Sequence, residues 1–133
     1  MEYAIGVVLA LAVGIFATFV GLDRDRALYP TTLIVIGYLY TLFALMGGRS
    51  EALLPEIAAG TVFAALAVAG FRWTLWFAVA GLAAHGIFDF IHAYIIQNPG
   101  VPTFWPAFCS AYDIVAAAYL AWLIKTRNDI NVE

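Results

Sequence analysis

Residues 73–96, WTLWFAVAGLAAHGIFDFIHAYII, form one apolar run whose only ionisable side chains are His85, Asp89 and His92. A helix rising 1.5 Å per residue needs about 20 apolar residues to cross a hydrocarbon layer, so the run predicts a membrane-spanning helix. His85, Asp89 and His92 stand at i, i+4 and i+7, which puts them on one stripe of that helix over about 10 Å. The stripe reaches from near the bilayer middle towards one surface.

Four further runs repeat the apolar pattern. Tyr3–Gly21 ends at the polar turn Asp23, Arg24, Asp25 and Arg26. Ala27–Met46 carries Pro30 near its start, where a missing N–H costs little, and Gly47, Gly48, Arg49 and Ser50 close it. Ile57–Phe71 is short and spans only if Ser50 or Leu54 begins the helix, with Glu51 or Glu56 near its mouth. Phe104–Ile124 ends at Lys125 and a polar tail, and the turn before it, Asn98 to Pro102, combines a proline that presets one dihedral with a glycine suited to a left-handed one.

The whole chain agrees with this reading. Of 133 residues, 65% are hydrophobic and 11% charged, and the mean hydropathy is +0.93, which excludes an ordinary soluble domain. A net charge of −3 without a basic run argues against nucleic acid as a partner. The amino-terminal run lacks a basic n-region and a small-residue cleavage site, and reads as a permanent helix rather than a signal peptide. Arg24, Arg26, Arg72, Lys125 and Arg127 fall on one side of a five-span topology and Arg49 alone on the other. The predicted fold is therefore all-α: one polytopic transmembrane bundle over residues 1–133 with about five helices, N-terminus outside and C-terminus inside.

Folding the runs about their turns brings other ionisable groups to the stripe. About the Asn98–Pro102 turn, Asp113 comes level with His85 and Asp89, with Cys109 and Ser110 further out. About Arg72, Glu56 comes near Asp89 and Glu51 near His92. Ionisable groups at this depth are expensive unless paired, hydrated or bound to an ion. Two imidazoles and several carboxylates suit Zn²⁺ or another first-row divalent metal, with His85, Asp89, His92 and Asp113 as ligands. Such an ion would make a nucleophile of bound water at neutral pH, with Glu56 or Asp113 as catalytic base.

Against this stand a structural reading, in which the His–Asp pairs merely satisfy one another, and a proton- or ion-coupled transporter or channel, which five short helices would build as a homo-oligomer. With no metal, there would be no cofactor. The half of the run before Ala84 is apolar apart from Thr74, which favours a site open to one side over a through-path. Phe88, Phe90, Tyr94, Phe104, Trp105 and Phe108 read either as an interfacial belt or as the lining of a pocket for an apolar, lipid-like substrate. The lone Cys109 reads as a buried thiol, the Asp23–Arg26 run as local ion pairs, and the small residues around Gly60 as packing within the bundle or between protomers.

The segments Gly21–Pro30, His85–His92, Asn98–Pro102, Trp105–Pro106 and Tyr112–Asp113 together resemble a small bacterial integral-membrane family of unknown function. The resemblance extends over the whole chain. It implies a multi-pass protein of the inner (plasma) membrane, surrounded by membrane lipid, and carries no activity with it.

Overall fold

A computed structural model describes residues 1–127; the rest of the polar tail, residues 128–133, lies outside the described residues. The described residues form five α-helices: α1 (Glu2–Val20), α2 (Leu28–Met46), α3 (Ser50–Arg72), α4 (Trp76–Ile95) and α5 (Trp105–Thr126). All five are long and apolar enough to cross a membrane. Helices suit that setting because every interior backbone donor and acceptor is satisfied within the segment.

The short third run reaches spanning length because its helix starts at Ser50 and absorbs Pro55 one turn in. The fourth helix starts later than its apolar run. Trp73, Thr74 and Leu75 lie between α3 and α4, with the Phe77 N–H donating to the Thr74 carbonyl at 3.0 Å. The centre of this hairpin is thus at Thr74 and not at Arg72, which has consequences for pairing below.

Helix α1 lies along α5 and buries one stripe of small residues, Gly6, Ala10, Gly14 and Ala17. Val8, Ile15, Phe16 and Phe19 on its other faces are exposed. The stripe permits a close approach: a Cβ at Gly6 would stand 2.3 Å from the Phe108 carbonyl oxygen. Small-residue contact of this kind joins helices where no hydrophobic effect separates lipid from protein. Helix α5 also packs on α4, and α2 and α3 pair with each other and close the bundle against α4.

The basic residues gather at one end. Arg127 donates from Nη1 to Asp23 Oδ1 at 2.9 Å, and Arg26 donates from Nη1 to the Trp73 carbonyl at 3.1 Å. These bonds correct the expectation of local pairing within Asp23–Arg26. Asp23 is buried and also accepts a hydrogen bond from Thr18, while Asp25 accepts from the Ala27 N–H. Three segments distant in sequence are thereby tied at one end of the bundle.

At the opposite end the Asn98–Pro102 turn forms with the Val101 N–H donating to the Asn98 carbonyl at 3.2 Å. Gly100 differs from its expectation, since the positive-φ glycines are Gly21 and Gly48. Its need for a missing side chain is steric instead. A Cβ there would stand 1.8 Å from the Phe43 carbonyl oxygen and 2.9 Å from the Gly47 nitrogen, so the turn presses directly on the end of α2.

Candidate intramembrane metal centre

The interior divides along its length. Towards the basic end the core is dry, built from Leu33, Leu75, Ala78, Leu82, Leu120 and Leu123. Beyond it, about halfway along α4, the same interior turns polar. His85, Asp89 and Asp113 are buried at 0–1% exposure, with Cys109 at 2%.

Helices α4 and α5 build this deep group by the same rule, because residues four apart share a helix face. His85 and Asp89 face α5 from α4, and Cys109 and Asp113 face α4 from α5. Gly86 lets the two backbones close, since a Cβ there would stand 3.0 Å from the Ser110 carbonyl oxygen. His85 Nδ1 lies 2.6 Å from Asp113 Oδ2 and 3.4 Å from Asp89 Oδ2. The Cys109 thiol donates to Asp113 Oδ2 at 3.7 Å. One ligand-type atom from each of the four residues lies within 4.8 Å of the others.

The polar accounting of this group does not close. Among the described residues, neither oxygen of Asp89 accepts a hydrogen bond, and Asp113 Oδ1, His85 Nε2 and the Tyr40 hydroxyl are likewise buried without a hydrogen-bond partner. Each such group forfeits roughly 1–3 kcal/mol if nothing meets it. Two carboxylates against one imidazole require either protons or a cation. A tetrahedral ion with bonds of about 2.0–2.3 Å holds its ligand atoms about 3.3–3.8 Å apart, so the 2.6 Å His85–Asp113 contact would open and separations of up to 4.8 Å would close around it.

A second group lies further towards the turn end. His92 Nε2 is 2.7 Å from Glu56 Oε1, and Asn98 Nδ2 donates to the same oxygen at 2.8 Å and to the Tyr40 carbonyl at 3.0 Å. Glu56 is fully buried, and among the described residues its Oε2 has no hydrogen-bond partner. Residues 56 and 92 are equidistant from Thr74, so the later turn explains why Glu56 meets His92 rather than Asp89. Glu51, expected beside His92, is exposed.

The structure therefore brings His85, Asp89 and Asp113 together, adds Cys109, and sets His92 with Glu56 in a separate group. Tyr40 stands between them. Its ring stacks on His92 at 3.9 Å and 12°, and lies 6.2 Å from the His85 ring. Phe63 and Phe88 pack edge-on or tilted against His85, which keeps the deep group dry. The sequence made Cys109 an outside candidate at the level of His92; it lies instead in the deep group, four residues from Asp113 on the same face of α5. Asn98 and Tyr40 offered no signal, since an asparagine before Pro-Gly reads first as a turn former.

A cavity of about 380 Å³ opens at the turn end, lined by Arg49, His92, Gln97, Asn98, Thr103 and Pro106 among others. A separate apolar cleft of about 420 Å³ is lined by Met1, Glu2, Ile5, Phe104, Trp105 and Phe108. Phe104, Trp105 and Phe108 are thus drawn together, whereas Phe90 and Tyr94 are exposed.

Fold and site together define a five-helix bundle, each helix long and apolar enough to cross a membrane, with a buried cluster of side chains of the types that could hold a metal ion. In comparison with known proteins, no family model, curated protein or solved structure matches the chain.

Proposed function

We propose that the protein is a multi-pass, bacterial-type inner-membrane protein that holds one first-row divalent ion, with Zn²⁺ the best fit, between His85, Asp89, Cys109 and Asp113. The observation that carries this reading is the Asp89 carboxylate, 1% exposed with no hydrogen bond to either oxygen, beside three other ligand-type side chains. A set of nitrogen, oxygen and sulfur donors gathered in one buried group suits Zn²⁺. The gathering of basic residues at one end supports a cytoplasmic location for that end, with the N-terminus and the His92 cavity outside.

A hydrolytic role is the second reading. The apolar cleft at Phe104, Trp105 and Phe108 favours it, because Trp105 is one turn from Cys109 on α5 and the cleft suits an acyl or isoprenoid chain. A bound divalent ion would supply Lewis acidity, and a carboxylate of the deep group, Asp113, is the base within its reach, Glu56 lying beyond Tyr40.

Metal content of detergent-purified protein, measured by inductively coupled plasma mass spectrometry, tests the first reading. Wild type is expected to carry close to one ion per chain after incubation with Zn²⁺. The isosteric variants Asp89→Asn and Asp113→Asn should stay folded and lose most of it. Metal-free wild type after reconstitution with Zn, Fe and Mn would sink the proposal and leave proton-coupled transport as the next assay.

A further inference from the structure

A metal site in a membrane interior needs a way in. The deep group is closed on its apolar side by the leucine core and shielded laterally by Phe63 and Phe88. The turn-end cavity ends on His92. Between cavity and deep group lie Glu56 and His92, then Tyr40, whose ring contacts both imidazoles.

Resting on the metal-centre reading, we infer that Glu56 and His92 form a second, transient site that captures a divalent ion from the outer cavity, and that Tyr40 is the partition the ion passes to reach His85, Asp89, Cys109 and Asp113. The donors support capture rather than storage. One imidazole nitrogen and one carboxylate make a weak site, since Asn98 turns its donor nitrogen to Glu56 while its amide oxygen accepts from the Gly100 N–H. Glu56 nonetheless has a fully buried oxygen with no partner, which an ion would satisfy. An ion arriving at His92 replaces the shared proton between His92 Nε2 and Glu56 Oε1, which are 2.7 Å apart, and the proton leaves to water in the outer cavity that His92 lines. Its onward movement requires the Tyr40 ring to tilt off His92. The Tyr40 hydroxyl is buried and interacts with Asp89, so the tilt also withdraws it from the carboxylate that is to receive the ion.

Stopped-flow loading with Co²⁺ separates path from destination. Cobalt bound by the Cys109 thiolate gives a near-ultraviolet charge-transfer band that reports the deep group alone. In wild type the band should appear and saturate at one ion per chain. Glu56→Gln should reach the same final band about tenfold or more slowly, taking as the scale the loss of affinity when the partner of a metal-binding histidine is removed. Tyr40→Ala should load faster than wild type. If Glu56→Gln proves unfolded by circular dichroism, His92→Gln takes its place with the same expectation. Equal loading rates in wild type and the capture-site variant would overturn the inference while leaving the deep centre standing, and so would a reduced final band at an unchanged rate. No band in wild type would overturn the centre itself, and the inference with it.

Discussion

Asp89→Asn is expected to reverse the sign of its effect on stability when Zn²⁺ is added. In chelator, wild type carries a buried carboxylate that accepts no hydrogen bond, next to the Asp113 carboxylate and a single imidazole. Exchanging that carboxylate for a neutral amide of the same shape removes an uncompensated charge, so the variant should be the more stable by about 1–3 kcal/mol. With Zn²⁺ at about a thousandfold its Kd, binding to the folded state stabilises wild type by about 4 kcal/mol, and the variant, lacking one ligand, gains far less. The order of stability then inverts. Unfolding of both proteins in detergent, followed by circular dichroism with and without Zn²⁺, gives the four values required. A variant that is less stable in chelator as well would mean that Asp89 is satisfied within the protein, and the cluster would then be a structural polar core.

Gly100→Ala should be the most damaging small substitution outside that cluster. Its added Cβ would meet the Phe43 carbonyl oxygen at 1.8 Å and backbone atoms of Gly47. Backbone at a helix end cannot rotate away as a side chain can, so the turn itself has to move. Overpacking of this kind costs about 3 kcal/mol, at the upper end of its usual range. The harm extends to the outer polar group, because Asn98, two residues earlier, holds Glu56 and the Tyr40 carbonyl. Gly48→Ala is the control. Gly48 has φ 68° with no neighbour near its missing Cβ, so it pays only the conformational penalty of about 1–2 kcal/mol. Comparable losses at the two positions would show that Gly100 is there for turn geometry and not for contact with α2.

The contrast between these glycines shows how far sequence reasoning reaches. Pro99-Gly100 marks a turn from dipeptide chemistry alone, and that turn is present. Its reason for glycine is a carbonyl on a helix more than fifty positions earlier, which no local pattern encodes. The same holds for Asp23. Four alternating charges read as neighbours pairing with one another, yet Asp23 is held by Arg127 across the bundle.

Five helices of spanning length, their order, the end at which the basic residues other than Arg49 gather and the stripe of His85, Asp89 and His92 were all legible in the chain. Hydrophobic run length and the 3.6-residue period are local properties, and in a membrane they decide the fold class almost alone. Whether that stripe makes one site or two was decided by tertiary structure. A shift of the α3–α4 turn from Arg72 to Thr74 moves the partner of Glu56 from the level of Asp89 to His92, close to one helical turn. Pairing between helices depends on where each turn closes and how closely small residues let the backbones approach, and both are set by contacts among residues far apart in sequence.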